Sequence, residues 1–519
     1  MRDIPYRFNL AQYFLDHNLD AGRGGKTALY YRDEQWSYRR IHEESCAMAG
    51  FLDELGVRRE ERVLIALPDR PEFAPTFFAI LRMGAVVAMV NPLLPGDDHA
   101  YYLDYTRARV LVTDEATLAR IRPVLGAAGH LRAVVVVGGR GEETEAGVRL
   151  VPYTRGLTLG RTIEGVDTTR DDIAIWLFTS GSTGKPRAAV HMHHDFAFNT
   201  ERYALGVLGL GENDRTLSVS RLYFGYATGT NLMFPFRAGA SSVLFSEKPT
   251  PDILFDHIER YRPTLLTSVP TMINAMLNNP RAKTADLSSL RICLSAGEAL
   301  PPELYRRWMK RFGVEILDGI GSAEMFHIYI TNYPGDVKEG SLGRLVPGYE
   351  ARIVDPEGKP LPPGEIGTLH IKGDSAALCY WNDHEKSKRT FAGDWCFTGD
   401  QCRMDKEGYF WYEGRADDML KVGGIWVSPL EIENRMREHE AVRDVCVVGY
   451  EDDAGLVKAR AWVVLRAGRT GDDALAEELI GWCKASMAAY KAPRSIRFVE
   501  DLPRNDRGKV ARKIIRQWS

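Results

Sequence analysis

No Cys-x-x-Cys pair occurs in the sequence, and its seven cysteines (Cys46, Cys293, Cys379, Cys396, Cys402, Cys446, Cys483) are odd in number and scattered. That pattern argues against a disulfide framework or a zinc ribbon and for a reducing compartment. An excess of either charge is also missing, since 67 Lys and Arg stand against 70 Asp and Glu. A broad electrostatic surface for nucleic acid is therefore not expected, and any anion must be met at a local site. Long apolar runs are lacking too. The most apolar stretch, Phe73 to Val90, is interrupted by Arg82 and contains Pro75, which fits a buried helix followed by a strand better than a membrane span. Met1-Arg2-Asp3-Ile4-Pro5 has no apolar signal-peptide core. The expectation is a cytoplasmic protein, monomer or homodimer, with small-molecule partners rather than nucleic acid or membrane.

What is present points to an α/β fold. At 519 residues the chain exceeds one hydrophobic core, and about three folding units, or one large domain with an appendage, are expected. Up to about residue 350, short β-branched runs such as Arg62–Leu67, Arg109–Thr113, Arg132–Val137, Asp172–Phe178 and Arg291–Leu294 alternate with longer amphipathic stretches. Continuous apolar runs of this kind mark strands buried on both faces of parallel sheets. Ligand sites form beyond the carboxyl ends of such strands, which singles out Thr179–Pro186, Ser295–Glu298 and Asp318–Glu324. From about residue 340, turns such as Asp355-Pro-Glu-Gly358 and Asp405-Lys-Glu-Gly408 predict a β-barrel-like antiparallel section. Ser428-Pro-Leu-Glu431 predicts a capped helix start, followed by strands and a further helix. The division expected is residues 1–416 as a large N-terminal domain of parallel α/β subdomains plus the barrel-like section, and 417–519 as a small mobile α+β domain.

Trp176-Leu-Phe-Thr-Ser-Gly-Ser-Thr-Gly-Lys-Pro186 follows one of the buried strands. Its hydroxyls, glycine amides and lysine can wrap phosphate oxygens. It is not a Walker A loop, because only Ser182 and Thr183 separate Gly181 from Gly184, and Pro186 rather than Ser or Thr follows Lys185. A P-loop kinase or ATPase is thereby disfavoured, and the bland alternative is a Gly/Ser surface loop. His191-Met-His-His194 follows the run Ala188–Val190 and lacks paired Cys or carboxylate ligands at suitable spacing, so no metal role is read into it.

The glycine-rich segment resembles that of the acyl-adenylating superfamily, which includes acyl- and aryl-CoA synthetases, luciferases and peptide-synthetase adenylation domains. Further motifs of that superfamily follow in order: Ser295-Ala-Gly-Glu298, Gly321-Ser-Ala-Glu324, Phe397-Thr-Gly-Asp400, Gly414–Gly424 and Pro503–Lys509. The resemblance covers nearly the whole chain and implies ATP, Mg²⁺ and coenzyme A as reactants and cofactors. It implies that Thr179, Ser180, Gly181, Ser182, Thr183, Gly184 and Lys185 hold the outer phosphates, and that Glu324 carries Mg²⁺. Ala296, Gly297 and Glu298, with Asp318, Gly319, Ile320, Gly321, Ser322 and Ala323, would line the nucleotide. Asp400 would bind the ribose hydroxyls with Arg415 beside it. Lys509 would reach the α-phosphate, Asp417 would be the hinge of the small domain, and Gly423 and Gly424 would line the pantetheine tunnel.

Within that superfamily the likeness is to benzoate-type aryl-CoA ligases, through Asp318–Ile328 and Asp418–Lys421. It implies that Gly225, Tyr226, Ala227, His327 and Ile328 enclose a flat ring and that Lys421 pairs with the acid's carboxylate. Gly225 leaves room for an amino or hydroxyl substituent. Three positions depart from the pattern: Ala323 stands where a Thr is usual, Ile320 where many relatives have Tyr, and Cys379 where a Gly is common before Tyr380-Trp381. The alternatives are a fatty acyl-CoA ligase, an enzyme loading a carrier-protein phosphopantetheine, and a catalytically silent binding protein of the same fold.

Overall fold

The computed structural model describes residues 4–180, 185–422, 425–452, 457–488, 491–504 and 510–518, without the side chains of Ser180, Lys421, Ile425 and Trp426. The apolar runs fold into parallel sheets, as the sequence predicts. In one sheet, Glu315–Gly321, Ile292–Ser295, Leu265–Ser268, Arg215–Ser218, Ser241–Leu244 and Thr27–Tyr31 lie side by side in parallel. In a second, the order is Ile173–Ser180, Val86–Met89, Arg62–Ala66, Val110–Asp114, Ala133–Val137 and Val148–Pro152. Antiparallel strands extend both: Ile328–Thr331 and Arg344–Leu345 on the first, Pro186–Met192 and Cys379–Tyr380 on the second. The Phe73–Arg82 helix is buried at every residue and leads into Val86–Met89. Among the described residues no helix is long and apolar enough to cross a membrane.

Two details differ from expectation. Asp318–Gly321 is strand rather than loop: Asp318 is the last residue paired in parallel with Ser295, and Gly319–Gly321 then pair antiparallel with Thr331–Ile328. Glycine permits the change of partner. A Cβ on Gly319 would lie 2.7 Å from the Ile330 carbonyl oxygen, and one on Gly321 2.5 Å from that of His327. The second difference concerns the three histidines. The strand runs on to Met192, so His191 lies within it while His193 and His194 open the helix His193–Asn199.

Beyond residue 345 the strands Glu350–Val354, Gly367–Lys372, Trp395–Met404 and Phe410–Arg415 form an antiparallel sheet that places Asp400 opposite Arg415. The helix Pro429–Arg437 starts where the sequence predicts, with Ser428 Oγ accepting from the Glu431 amide at 3.3 Å. The strands Val442–Glu451, Val457–Leu465 and Ser495–Phe498 and the helix Asp473–Lys484 complete this part. Its two apolar clusters contain only residues from Leu420 onward.

One buried carboxylate ties the two parallel sheets together. Asp69, 2% exposed, follows the strand Arg62–Ala66 and accepts from the Leu222 amide at 2.9 Å. It thereby anchors the segment that continues to Tyr226. Burial pushes its carboxyl up to about 6, against the opposing pull of Arg221 and the Leu222 amide. Because the folded value lies above the unfolded one, this residue's contribution to stability is greatest below about pH 4 and is lost as pH rises through about 6. Melting of the wild type and Asp69→Asn from pH 4.5 to 8 tests this. The variant's relative stability should rise up to about pH 6 and level off, by about 2 kcal/mol over this range. A difference independent of pH would contradict it.

Candidate active site

Glu324 stands on the turn Ser322–His327, which joins the strands Glu315–Gly321 and Ile328–Thr331. Every carbonyl from Ser322 to Met325 is used. Ser322 O accepts from Met325 N (3.2 Å), and Ala323 O from Phe326 N (3.4 Å) and from His191 Nε2 (2.7 Å). Glu324 O accepts from Ala377 N at 2.8 Å, and Met325 O from His327 N (2.8 Å) and Ser375 Oγ (2.9 Å). The bond from His327 to Met325 closes a γ-turn in which Phe326 has φ +66° and ψ −59°. For a residue with a Cβ, that backbone state costs about 1–3 kcal/mol.

The Glu324 carboxylate is partly exposed, and Tyr380 Oη donates to its Oε1 at 2.6 Å. Oε2 has no hydrogen-bond partner among the described residues. A carboxylate oxygen on a rigid turn with an open side fits a hard divalent cation such as Mg²⁺. Asp400 differs. It is 6% exposed, and its Oδ1 accepts from Arg415 Nη1 at 3.0 Å. Burial raises its carboxyl above the usual range, although Arg415 works against that. The charge of Glu324 is felt at both Asp400 and Arg415, so the three form one electrostatic cluster. Asp318 is a third case, since burial pushes its carboxyl up to about 8, and it is mostly protonated at neutral pH.

The residues predicted to line the nucleotide meet at these strand ends. Ala296 is buried, Gly297 has φ +88°, and Ile320 packs against the main core. Glu298 acts elsewhere, because its Oε2 accepts from Thr271 N (3.2 Å) and Oγ1 (2.8 Å), which caps the helix Pro270–Asn278. Ser322 Oγ is buried without a partner among the described residues. Thr179 and Ser180 pair with Arg187 and Pro186 across a hairpin. Lys185 is exposed, its Nζ 5.3 Å from the Tyr101 ring centroid. Gly181, Ser182, Thr183, Gly184, Gly423, Gly424, Lys509 and the Lys421 side chain lie outside the described residues. The Asp417 carbonyl accepts from Arg516 Nη2 at 2.7 Å.

An aromatic box surrounds His327. Its ring centroid lies 5.5 Å from that of Tyr203, 5.3 Å from Tyr226, 4.7 Å from Phe234 and 5.5 Å from Phe326. Burial pushes the imidazole down to about 4, with only the Tyr226 carbonyl opposing, so the ring is neutral at pH 7. Nε2 lies 3.0 Å from the Tyr226 carbonyl oxygen. That partner assigns the proton to Nε2 and leaves Nδ1 a bare acceptor. Nδ1 and the Tyr226 hydroxyl are both buried with no hydrogen-bond partner among the described residues. Gly225 bounds the same region, where a Cβ would lie 3.3 Å from Leu177 Cδ1 and 3.5 Å from the Phe326 carbonyl oxygen. Ala227 and Ile328 are buried in the core that backs the box.

Sequence reasoning missed Tyr380, Tyr203, Gly229, Thr271, and His191 with Asp195. Only the last pair carried a signal, a histidine and an aspartate four residues apart across a strand–helix boundary. The rest depend on residues distant in sequence.

Comparison with known proteins follows the same lines. The model of the AMP-binding enzyme family matches residues 16–381, and that of the AMP-binding enzyme C-terminal domain matches 431–509. The chain is 42% identical to a benzoate–CoA ligase of Thauera aromatica, over 99% of this chain and 96% of that protein. It is 37% identical to a 4-hydroxybenzoate–CoA/benzoate–CoA ligase of Rhodopseudomonas palustris, over 99% and 95%. Among solved structures, an anthranilate CoA ligase in complex with anthranoyl-AMP superposes with a TM-score of 0.94 at 39% identity, covering 100% of this chain and 98% of that one. A benzoate CoA ligase from Burkholderia xenovorans gives 0.88 at 38% identity, covering 98% and 100%.

The position of His327 depends on a neighbour without a side chain. A Cβ on Gly229 would lie 2.5 Å from His327 Cδ2 and 3.0 Å from Phe234 Cζ. Gly229→Ala is therefore expected to cost about 1–3 kcal/mol by overpacking, read as a lower urea midpoint. An unchanged midpoint would mean that the imidazole moves aside freely.

Proposed function

The chain belongs to the AMP-binding enzyme family, and we propose from that premise how its own residues perform the reaction of an ATP-dependent aryl-CoA ligase. The ligase condenses an aromatic carboxylate with ATP to an aryl-adenylate and pyrophosphate, then transfers the acyl group to the thiol of coenzyme A and releases AMP. Both halves gather negative charge on oxygens, so placed cations and donors do most of the catalysis.

Residues 1–416 are assigned as the adenylation domain and 417–519 as the mobile domain that turns about Asp417. The hairpin segment Thr179–Lys185 embraces the outer phosphates, and Glu324 is the carboxylate for magnesium, which when bound neutralises charge on the phosphate oxygens. Asp400, steadied by Arg415, accepts from the ribose hydroxyls. Asp318, Gly319, Ile320 and Gly321, with Ala296 and Gly297, bound the adenine. Ala323 offers no hydroxyl to the α-phosphate, and we assign that part to Ser322 Oγ, which has no partner among the described residues. Lys509 arrives at the α-phosphate with the mobile domain, Lys421 meets the acid's carboxylate, and Gly423 and Gly424 admit the pantetheine arm.

The observation that carries the choice of acid is the box around His327. Its walls are aromatic, and it contains a bare acceptor, Nδ1, together with the Tyr226 hydroxyl, neither of which has a protein partner among the described residues. A planar ring with an amino or hydroxyl substituent meets both requirements, because a buried polar atom left unpaired is costly. The acids favoured are therefore substituted benzoates such as 2-aminobenzoate or a hydroxybenzoate.

Two measurements test this. Thioester formation with free coenzyme A is compared across benzoate, its 2-, 3- and 4-amino and hydroxy derivatives, and fatty acids. One donor-bearing ring should exceed benzoate in kcat/KM by about 3- to 10-fold, and His327→Phe should abolish that preference. Fatty acids ahead of every ring acid would sink the aryl pocket. Separately, Lys509→Ala should lower carboxylate-dependent pyrophosphate release by about 100-fold or more without altering the melting temperature. An unchanged rate would remove Lys509 from the mechanism.

A further inference from the structure

Two side chains from outside the turn that carries Glu324 bond its carbonyls, Ser375 at Met325 and His191 at Ala323. His191 lies on the strand Pro186–Met192, wholly buried, with Nε2 2.7 Å from the Ala323 carbonyl oxygen and Nδ1 2.7 Å from Asp195 Oδ2. Asp195 is also wholly buried, at the start of the following helix. Its Oδ2 accepts in addition from the Met192 amide at 3.2 Å, and His194 Nε2 lies 3.1 Å from its Oδ1. His194 is oriented in turn by the Arg170 carbonyl oxygen, 3.0 Å from its Nδ1. Asp195 Oδ2 thus accepts from the Met192 amide and faces His191 Nδ1, while Oδ1 has no hydrogen bond among the described residues. Nε2 faces a carbonyl, which can only accept, so that nitrogen donates to Ala323, and Nδ1 faces Asp195 Oδ2. A hydrogen bond in a dry site is stronger than one in water.

We propose that His191, oriented by Asp195, is a positioning residue for Glu324. It fixes the Ala323 carbonyl one residue ahead of the carboxylate and holds the turn against the strain at Phe326. The inference rests on the assignment of Glu324 to magnesium. The chain from the buried pair to the carboxylate is Asp195, His191, Ala323, Glu324, and the peptide plane between the last two has no freedom once its oxygen is held. Released from His191, the Ala323 peptide can rotate, and the Glu324 oxygens move by a substantial fraction of an ångström. Misplacement of that size costs up to about 100-fold in rate.

Two isopolar variants separate positioning from mere filling of space. His191→Gln places an amide N–H near the position of Nε2 and keeps the bond to Ala323. His191→Asn keeps a donor toward Asp195 only. Pyrophosphate release is measured against Mg²⁺, ATP and aryl acid in turn. The Asn variant should raise the half-saturating Mg²⁺ concentration about tenfold and lower kcat about 10- to 100-fold, with the KM for the acid within about twofold of wild type. The Gln variant should recover both parameters to within about threefold. Equal behaviour of the two variants overturns the proposal. Should the Asn variant not fold, ¹⁵N-histidine spectra of the unaltered enzyme decide. The signal lost in His191→Gln must show a proton on Nε2 that exchanges slowly with water, and a bare or rapidly exchanging Nε2 overturns the proposal. Glu324→Gln is run beside them. If it leaves the Mg²⁺ dependence unchanged, the premise about Glu324 has failed, and that failure is distinct from one of His191.

Discussion

A strand that changes partner midway leaves backbone groups that must be satisfied elsewhere, and the catalytic end of this molecule depends on how that is done. Asp318 closes the parallel ladder, Gly319–Gly321 open an antiparallel one, and the chain must then reverse within Ser322–His327. A buried backbone group without a partner costs about 1–3 kcal/mol. Four successive carbonyls in this reversal are therefore satisfied by the Ala377 amide, the Ser375 hydroxyl, the His191 ring and the turn's own amides. The positive φ at Phe326 is tolerated because the surrounding bonds leave no alternative path. Glu324 thus inherits its position from hydrogen bonds that its own side chain does not make.

Three carboxyl groups near this reversal illustrate how environment divides labour among like residues. Asp318 is buried, and burial raises its carboxyl to about 8, so it places little charge at the strand end at neutral pH. Asp400 is equally buried but has the Arg415 guanidinium at 3.0 Å, so its charge is compensated and its free lone pairs suit neutral hydroxyl donors. Glu324 alone combines partial exposure with a single hydroxyl donor, from Tyr380. A divalent cation needs an ionised oxygen that it can approach without stripping away a competing cation. Of the three, Glu324 meets that requirement best.

The parallel sheets were legible in the sequence because strands buried on both faces read as unbroken apolar runs, as Arg62–Leu67 and Arg132–Val137 do. The helix at Pro429 was legible because its cap is written in adjacent residues, Ser428 and Glu431. The extension of the strand through Gly321 was not. Its cause is a close approach of Gly319 and Gly321 to the carbonyls of Ile330 and His327, and nothing local announces which backbone will come near. For the same reason Tyr380 and Tyr203 escaped notice: each acts on a residue more than fifty positions away in sequence. His191, His193 and His194 look like a cluster in one dimension, yet strand and helix send them to different partners, Ala323, the Leu10 amide and the Arg170 carbonyl. The glycine-rich segment and Lys509 are assigned by their motif alone, which a sequence displays directly.

The distinction between a purely apolar pocket and one with unpaired polar groups, as proposed for the box around His327, bears on how sharply an aryl-CoA ligase can choose its acid. Aromatic walls reward any flat ring and reject a close analogue only weakly, because one missing or added group changes little contact area. An acceptor fixed by tautomer behaves differently. The Tyr226 carbonyl holds the proton of His327 on Nε2, and burial keeps the ring from gaining a second proton at neutral pH. Nδ1 therefore cannot turn donor to suit a ligand. Four rings pack around the imidazole, and Gly229 leaves it room on one side. On the proposed assignment of this box to the acid, a ring that presents a second acceptor to Nδ1 would meet repulsion, while one that presents a donor would pair with an atom that has no partner among the described residues. On that assignment, selectivity would follow from the packing of the histidine as much as from its chemistry.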